Sequence, residues 1–227
     1  MINNKKILAI ITARAGSKRL PNKNILDLAG KPLIAWTIDE AKKSKYIDKL
    51  IVSTDSEKIA EISKKYGTEV PFMRPKELAD DNATSIDVIK HAIEFLGKDK
   101  FDYILLLQPT SPLRTIDEID NAIEMLDDNT KAVVSVCETE HSPLWSNTLP
   151  EDLSMKNFIR SEVKNKRSQD LPKYYRLNGA IYIAETKYFY KNNGFLGDKT
   201  KAYIMPQQSS IDIDSEIDFK LCEILIK

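Results

Sequence analysis

Across 227 residues, 34 Lys and Arg balance 34 Asp and Glu, so the formal net charge is zero. That balance excludes a broadly basic nucleic-acid surface, and any cationic site must be local. With 42% hydrophobic and 30% charged residues, the chain reads as one globular domain over residues 1–227, with ample material for a core.

No apolar run approaches the roughly 20 residues that span a bilayer. No N-terminal stretch combines a charged start, a long apolar segment and a small-residue cleavage site, so the expected location is the cytoplasm. Cys137 and Cys222 sit in apolar contexts and read as reduced, buried thiols.

In chain order, strand and helix signals alternate. Ile7 to Ile11 is an unbroken apolar run that opens into a loop holding Arg14, Lys18, Arg19 and Lys23. A buried strand opening into a short basic loop is one way α/β proteins hold phosphate groups. Pro32 suits the first turn of a helix, because its missing N–H is not needed there. Residues 49–53 predict a strand, 56–66 a helix stopped by Gly67, and 69–73 another strand before Arg74. Residues 84–97 give the clearest helical spacing, with Ile86, Ile89, Ile93 and Leu96. Tyr103 to Leu107 is continuously apolar, the pattern of a strand buried on both faces in a parallel sheet.

A helix near 116–127 and a strand at 132–137 follow. Residues 138–177 are polar and carry Pro143, Pro150 and Pro172, so they read as an insertion. Strands are expected again at 180–184, at 201–205 as an edge, and at 210–214. A last helix over 215–226 would be capped by Ser215 with Asp218. Alternating β and α segments with apolar strands predict a three-layer α/β/α sandwich, Rossmann-like, around a mostly parallel sheet. Ligands in such sheets sit beyond the carboxyl ends of the strands. Arg14 to Asn24, Arg74-Pro75 and Gln108 to Arg114 would then face one crevice.

Three constellations carry chemistry. Arg14, Lys18 and Lys23 supply cations within ten residues, and Gly16 and Ser17 let the backbone approach a ligand. The spacing is neither GxxxxGK[ST] nor GxGxxG, so a solvated basic loop is the plain alternative to a phosphate site. Asp212 and Asp214 alternate with Ile211 and Ile213. In a strand both carboxylates share a face and suit Mg²⁺; alternatively, Asp214 merely favours the start of the last helix. Gln108 and Ser111 could hydrogen-bond a polar ligand, or belong to a proline-stiffened turn. His91 is expected at the rim of its helix. His141 has no Cys or His at ligand spacing, so no zinc site is expected.

Three segments together resemble one family. Ile11 to Asn24 (ITARAGSKRLPNKN) looks like the signature loop of the acylneuraminate cytidylyltransferases, the CMP-sialic acid synthetases. Leu107 to Arg114 (LQPTSPLR) and Ile211 to Asp214 (IDID) match its second and last motifs, supported by Arg74-Pro75 and by Arg176 to Ile183. The resemblance implies a nucleotide-diphospho-sugar-transferase-like fold. It implies a homodimeric enzyme that joins CTP to a nine-carbon 2-keto sugar acid (sialic, legionaminic or pseudaminic type), with Mg²⁺. Arg14, Ser17, Lys18 and Lys23 would hold the triphosphate, and Asn24 and Arg74 would help seat the nucleotide. Ser85 and Gln108 would contact the sugar acid. Asp212 and Asp214 would ligate Mg²⁺, and Arg14, Lys18 and Asp212 would carry catalysis. The 138–177 insertion would reach the partner subunit, delivering Arg167 to the sugar carboxylate near the partner's Tyr182. Two departures stand out: Arg167-Ser168-Gln169 replaces the family's Arg-Gln step, and the segment His141 to Trp145 lacks a lysine found in some members. The rival readings are a ketodeoxyoctonate cytidylyltransferase, which the Asn22-Lys23-Asn24 step disfavours, and a non-catalytic nucleotide-binding module.

Overall fold

The computed structural model describes residues 2, 4–17, 19–80 and 82–226. In chain order the elements are β1 (Ile7–Thr12), β2 (Asp27–Leu28), β3 (Lys31–Pro32), α1 (Leu33–Lys43), β4 (Ile47–Ser53), α2 (Glu57–Lys65) and α3 (Ser85–Leu96). There follow β5 (Tyr103–Leu107), α4 (Ile116–Glu124), β6 (Ala132–Glu138), β7 (Tyr175–Glu185), α5 (Thr186–Asn192), β8 (Thr200–Ile204) and α6 (Glu216–Ile226). The main sheet has the order β4-β1-β5-β7-β6-β8. β1 pairs in parallel with β4 and β5, and β6 pairs in parallel with β8. β7 is antiparallel to both its neighbours, so it alone runs against the other five strands. The sheet is mostly parallel, as its apolar strands predict.

The layers follow from side-chain alternation along β1. Ile7, Ala9 and Ile11 pack with Ile34 and Ile38 of α1, Ile59 of α2 and Ile119 and Ile123 of α4. Leu8 and Ile10 point the other way, toward Ile89, Ala92 and Ile93 of α3 and Phe189 of α5. Period two in the strand and period 3.6 in the helices thus bury both faces of the sheet. A third cluster, Leu28, Leu33, Ile213 and Cys222, docks α6 beside the β2–β3 ribbon.

Several boundaries differ from expectation. Residues 69–73 form no strand; only isolated bridges join Glu69 to Ile51 and Met73 to Thr54. Residues 210–214 form no strand either, and their backbone is irregular. Pro32 is the cap residue before α1 rather than its first helical position. β6 and β7 pair as far as Glu138 and Tyr175, so the insertion proper spans 139–174. That segment holds only short 3₁₀ turns, among them Pro143–Trp145 and Ser168–Asp170. No helix among the described residues is long and apolar enough to cross a membrane. Both cysteines are buried and unpaired, and burial pushes the Cys222 thiol up to about 12.

Candidate active site

The parallel strands β1, β4 and β5 end on one side of the sheet, and a cleft of about 520 Å³ opens there. Its walls include Arg14, Ser17, Arg19, Lys23, Asn24, Arg74, Ser85, Gln108 and Asp214. The basic loop, Arg74 and the start of the Gln108 loop therefore do share one crevice. Lys18 lies outside the described residues.

Side-chain bonds shape the loop after β1. Ala15 N–H donates to Asp55 Oδ1 at 3.0 Å, tying the loop's entry to the end of β4. Asn24 is buried, and its Nδ2 donates to the Arg14 carbonyl at 3.1 Å, closing the loop on itself. Asn24 Oδ1 has no protein partner, which leaves a buried acceptor beside the cleft. Arg14 Nη1 donates to the Asp80 carbonyl at 3.1 Å. Arg74 is 6% exposed, with Nε on Ser53 Oγ at 3.1 Å and Nη2 on the Ser53 carbonyl. Burial pushes its guanidinium down to about 10, Asp55 opposes that fall and Arg14 adds to it, so it stays charged at neutral pH.

The two aspartates do not share an environment. Asp214 is exposed and paired with Lys23 Nζ at 2.9 Å and Arg19 Nη1 at 3.1 Å. Asp212 is half-buried, and its Oδ1 has no hydrogen-bond partner. Burial raises the Asp212 carboxyl above the ordinary range; a hydrogen bond from Thr110 opposes this, and the Asp214 charge reinforces it. Asp212 lies against Gln108 at Gly179, where a Cβ would sit 3.1 Å from Gln108 Oε1 and 3.7 Å from Asp212 Oδ2. Tyr182, three residues after Gly179 in β7, has its phenol raised by burial and by the Asp212 charge. Of these three, Gln108 lines the cleft, and Asp212 and Tyr182 are not on its wall.

Other residues sit elsewhere than expected. Ser111 is fully buried and is not on the cleft wall. Arg114 is also buried, with Nη1 on the carbonyls of Ala180 (2.8 Å) and Gln108 (3.2 Å) and Nη2 on Thr37 Oγ1 (2.8 Å). It clasps the Gln108 loop to β7 and α1 rather than facing a ligand. Sequence spacing gives no sign of this, because a motif arginine reads equally well as a ligand group or as a clasp. Arg167 is exposed in the insertion and is paired with Asp170 at 3.0 Å. His91 packs edge-on against Phe72 at 4.6 Å.

The match to known proteins is decisive at this point. A family described as cytidylyltransferase covers residues 8–220. The chain belongs to the cytidylyltransferase family. Among curated relatives, a CMP-N,N'-diacetyllegionaminic acid synthase of Legionella pneumophila is 43% identical, over 98% of this chain and 97% of its own. A pseudaminic acid cytidylyltransferase of Campylobacter jejuni is 36% identical, over 98% and 97%. An N-acylneuraminate cytidylyltransferase of Escherichia coli is 39% identical over 95% of this chain, which spans 51% of that longer protein. Among solved structures, a CMP-2-keto-3-deoxy-manno-octonic acid synthetase complexed with CTP superposes with a TM-score of 0.73 at 16% identity, covering 97% of this chain and 98% of its own. At that identity the likeness establishes the fold. This cytidylyltransferase is a nucleotidyltransferase enzyme of the CMP-sialic acid synthetase type.

Proposed function

We propose that the cleft joins CTP to a nonulosonic, sialic-type 2-keto sugar acid, giving the CMP-sugar and pyrophosphate. One observation carries the reading: Arg14, Arg19, Lys23 and Arg74 line one cleft together with Gln108 and Asp214, and Asp212 lies beside Gln108 at Gly179. The cations suit a triphosphate, and the amide and carboxylate end suits a polar sugar acid and a divalent ion. Ser17, Asn24 and Ser85 also line the cleft; Ser17 and Asn24 would add donor and acceptor groups for the nucleotide, and Ser85 one for the sugar. Lys18 would join the cations.

The sugar's anomeric oxygen attacks the α-phosphorus of CTP. A new P–O bond forms, the bond to the β-phosphate oxygen breaks, and pyrophosphate leaves in line. The protein positions the two reactants and neutralises the negative charge that develops. Mg²⁺ is the proposed cofactor. Among the described residues no group of three or more His, Cys, Asp or Glu could hold a metal alone. Mg²⁺ fits a sparser donor set, since it commonly takes one or two carboxylates plus phosphates and water. The unpartnered Asp212 Oδ1 fits that role, and Asp214 would serve as second ligand by yielding Lys23 and Arg19 to the phosphates. When bound, the ion would neutralise phosphate charge.

A homodimer in the cytoplasm completes the proposal. Leu149, Leu153 and Met155 are exposed on the insertion. Leu177 of β7 and Ile204 of β8 are exposed beside Val136 in register, on a sheet face that a second subunit would cover. Arg167, which is not on its own cleft wall, would reach the partner's sugar carboxylate near Tyr182. The test is pyrophosphate release with each of the four nucleoside triphosphates against legionaminic, pseudaminic and N-acetylneuraminic acids. Release with CTP and at least one acid is expected; none with any acid would end the reading.

A further inference from the structure

Asp212 lies in irregular backbone, so no strand ladder fixes it. Its segment is held instead by hydrogen bonds on both sides, and Lys23 Nζ also donates to the Ile213 carbonyl at 2.6 Å. On one side Ile213 N–H donates to the Thr110 carbonyl at 2.8 Å. On the other, Ser209 Oγ donates to Glu118 Oε1 of α4 at 2.5 Å, and Asn178 Nδ2 donates to the adjacent Ser210 Oγ at 2.9 Å.

Glu118 is an unusual cap residue. In α3 the capping box pairs Thr84 with Asp87, which is exposed, as a solvated cap should be. In α4 the box pairs Thr115 with Glu118, which is only 8% exposed. One oxygen, Oε2, accepts from Thr115 N–H at 2.8 Å and completes the cap. The cap needs no more, yet the second oxygen is buried on Ser209. Burying a carboxylate is costly unless its oxygens are used. The use here reaches 91 residues along the chain, to the approach of Asp212.

We propose that the buried Glu118–Ser209 pair is a positioning device: it fixes the Asp212-bearing segment against the Gln108–Arg114 loop, so that the carboxylate meets the cleft in one place. The inference rests on Asp212 acting in the proposed cytidylyl transfer, but its structural half is testable without turnover. Ser209→Ala removes the tether and leaves the cap of α4 whole; Thr115→Ala does the reverse.

Two readouts separate the roles. Amide exchange at Asp212 to Ser215 should quicken in Ser209→Ala and stay unchanged in Thr115→Ala. In steady-state pyrophosphate release, Ser209→Ala should lower kcat about tenfold while KM for CTP stays within about twofold, since small misplacements at a reacting centre act on turnover. Thr115→Ala should lose Tm and keep kcat. Unchanged exchange at Asp212 to Ser215 in Ser209→Ala would overturn the tether. Wild-type kcat in that variant, or an equal kcat loss in Thr115→Ala, would overturn its positioning role. Absence of turnover in the wild type would instead count against the reaction, and exchange would still judge the brace.

Discussion

At the scale of single residues, Asp212 best shows a side chain kept at a cost. Its folded pKa lies above the ordinary carboxyl value, chiefly through burial. The native state therefore holds that proton more tightly than the unfolded chain, and stability falls as pH rises through the window between the two values. Above that window the wild type carries a partly buried, incompletely partnered carboxylate. Asp212→Asn should then raise Tm at pH 7 while lowering turnover on the order of 10²-fold, as expected when a group that stabilises developing charge is lost. Thermal melts at pH 7 and steady-state kinetics check both halves; a Tm decrease or near-normal turnover would count against the assignment. The carboxylate pair was legible from its Ile-Asp-Ile-Asp spacing. Its inequality was not, because the spacing implied a strand, whereas the backbone there is irregular and Lys23 and Arg19 form their ion pairs with Asp214.

At the scale of elements, β7 supplies the floor on which Gln108 and Asp212 meet. Gly179 has φ +77°, and it leaves the space that a side chain would take from Gln108. Gly179→Ala should cost about 1–2 kcal/mol from the left-handed backbone alone. It should also push the Gln108 amide aside and raise KM for the sugar acid more than KM for CTP. Equal effects on both constants would place Gln108 away from the sugar. The apolar strands and the helix over 84–97 were readable because period and burial agree there. The 69–73 segment was misread because a short apolar stretch can pair through isolated bridges without forming a ladder. Arg114, expected at the crevice, is a buried clasp, and it was misread for a related reason: besides Thr37 Oγ1 its partners are the carbonyls of Gln108 and Ala180, and backbone acceptors leave no mark in a sequence.

At the scale of the whole molecule, order and spacing revealed more than any one motif did. The basic loop, Arg74 and Gln108 lie far apart in sequence and converge because β1, β4 and β5 end together, and Asp214 joins them through Lys23 and Arg19. The insertion resists such reading, since it is polar, has no periodic element and pairs Arg167 with Asp170 within its own subunit. A dimer predicts that light scattering returns twice the mass of the 25.9 kDa chain. It further predicts that Arg167→Ala raises KM for the sugar acid with little change in Tm; a monomer with wild-type kinetics in that variant would refute the arm's role. The central claim is that the cations grip the triphosphate of CTP while the sugar acid is delivered to its α-phosphorus. Phosphorus NMR of a reaction containing CTP, Mg²⁺ and a nonulosonic acid tests it most directly. The expected spectrum shows one pyrophosphate for each CTP consumed and a single new phosphodiester joining CMP to the anomeric carbon. A spectrum with inorganic phosphate and CDP instead, or with CTP untouched for every acid, would contradict it.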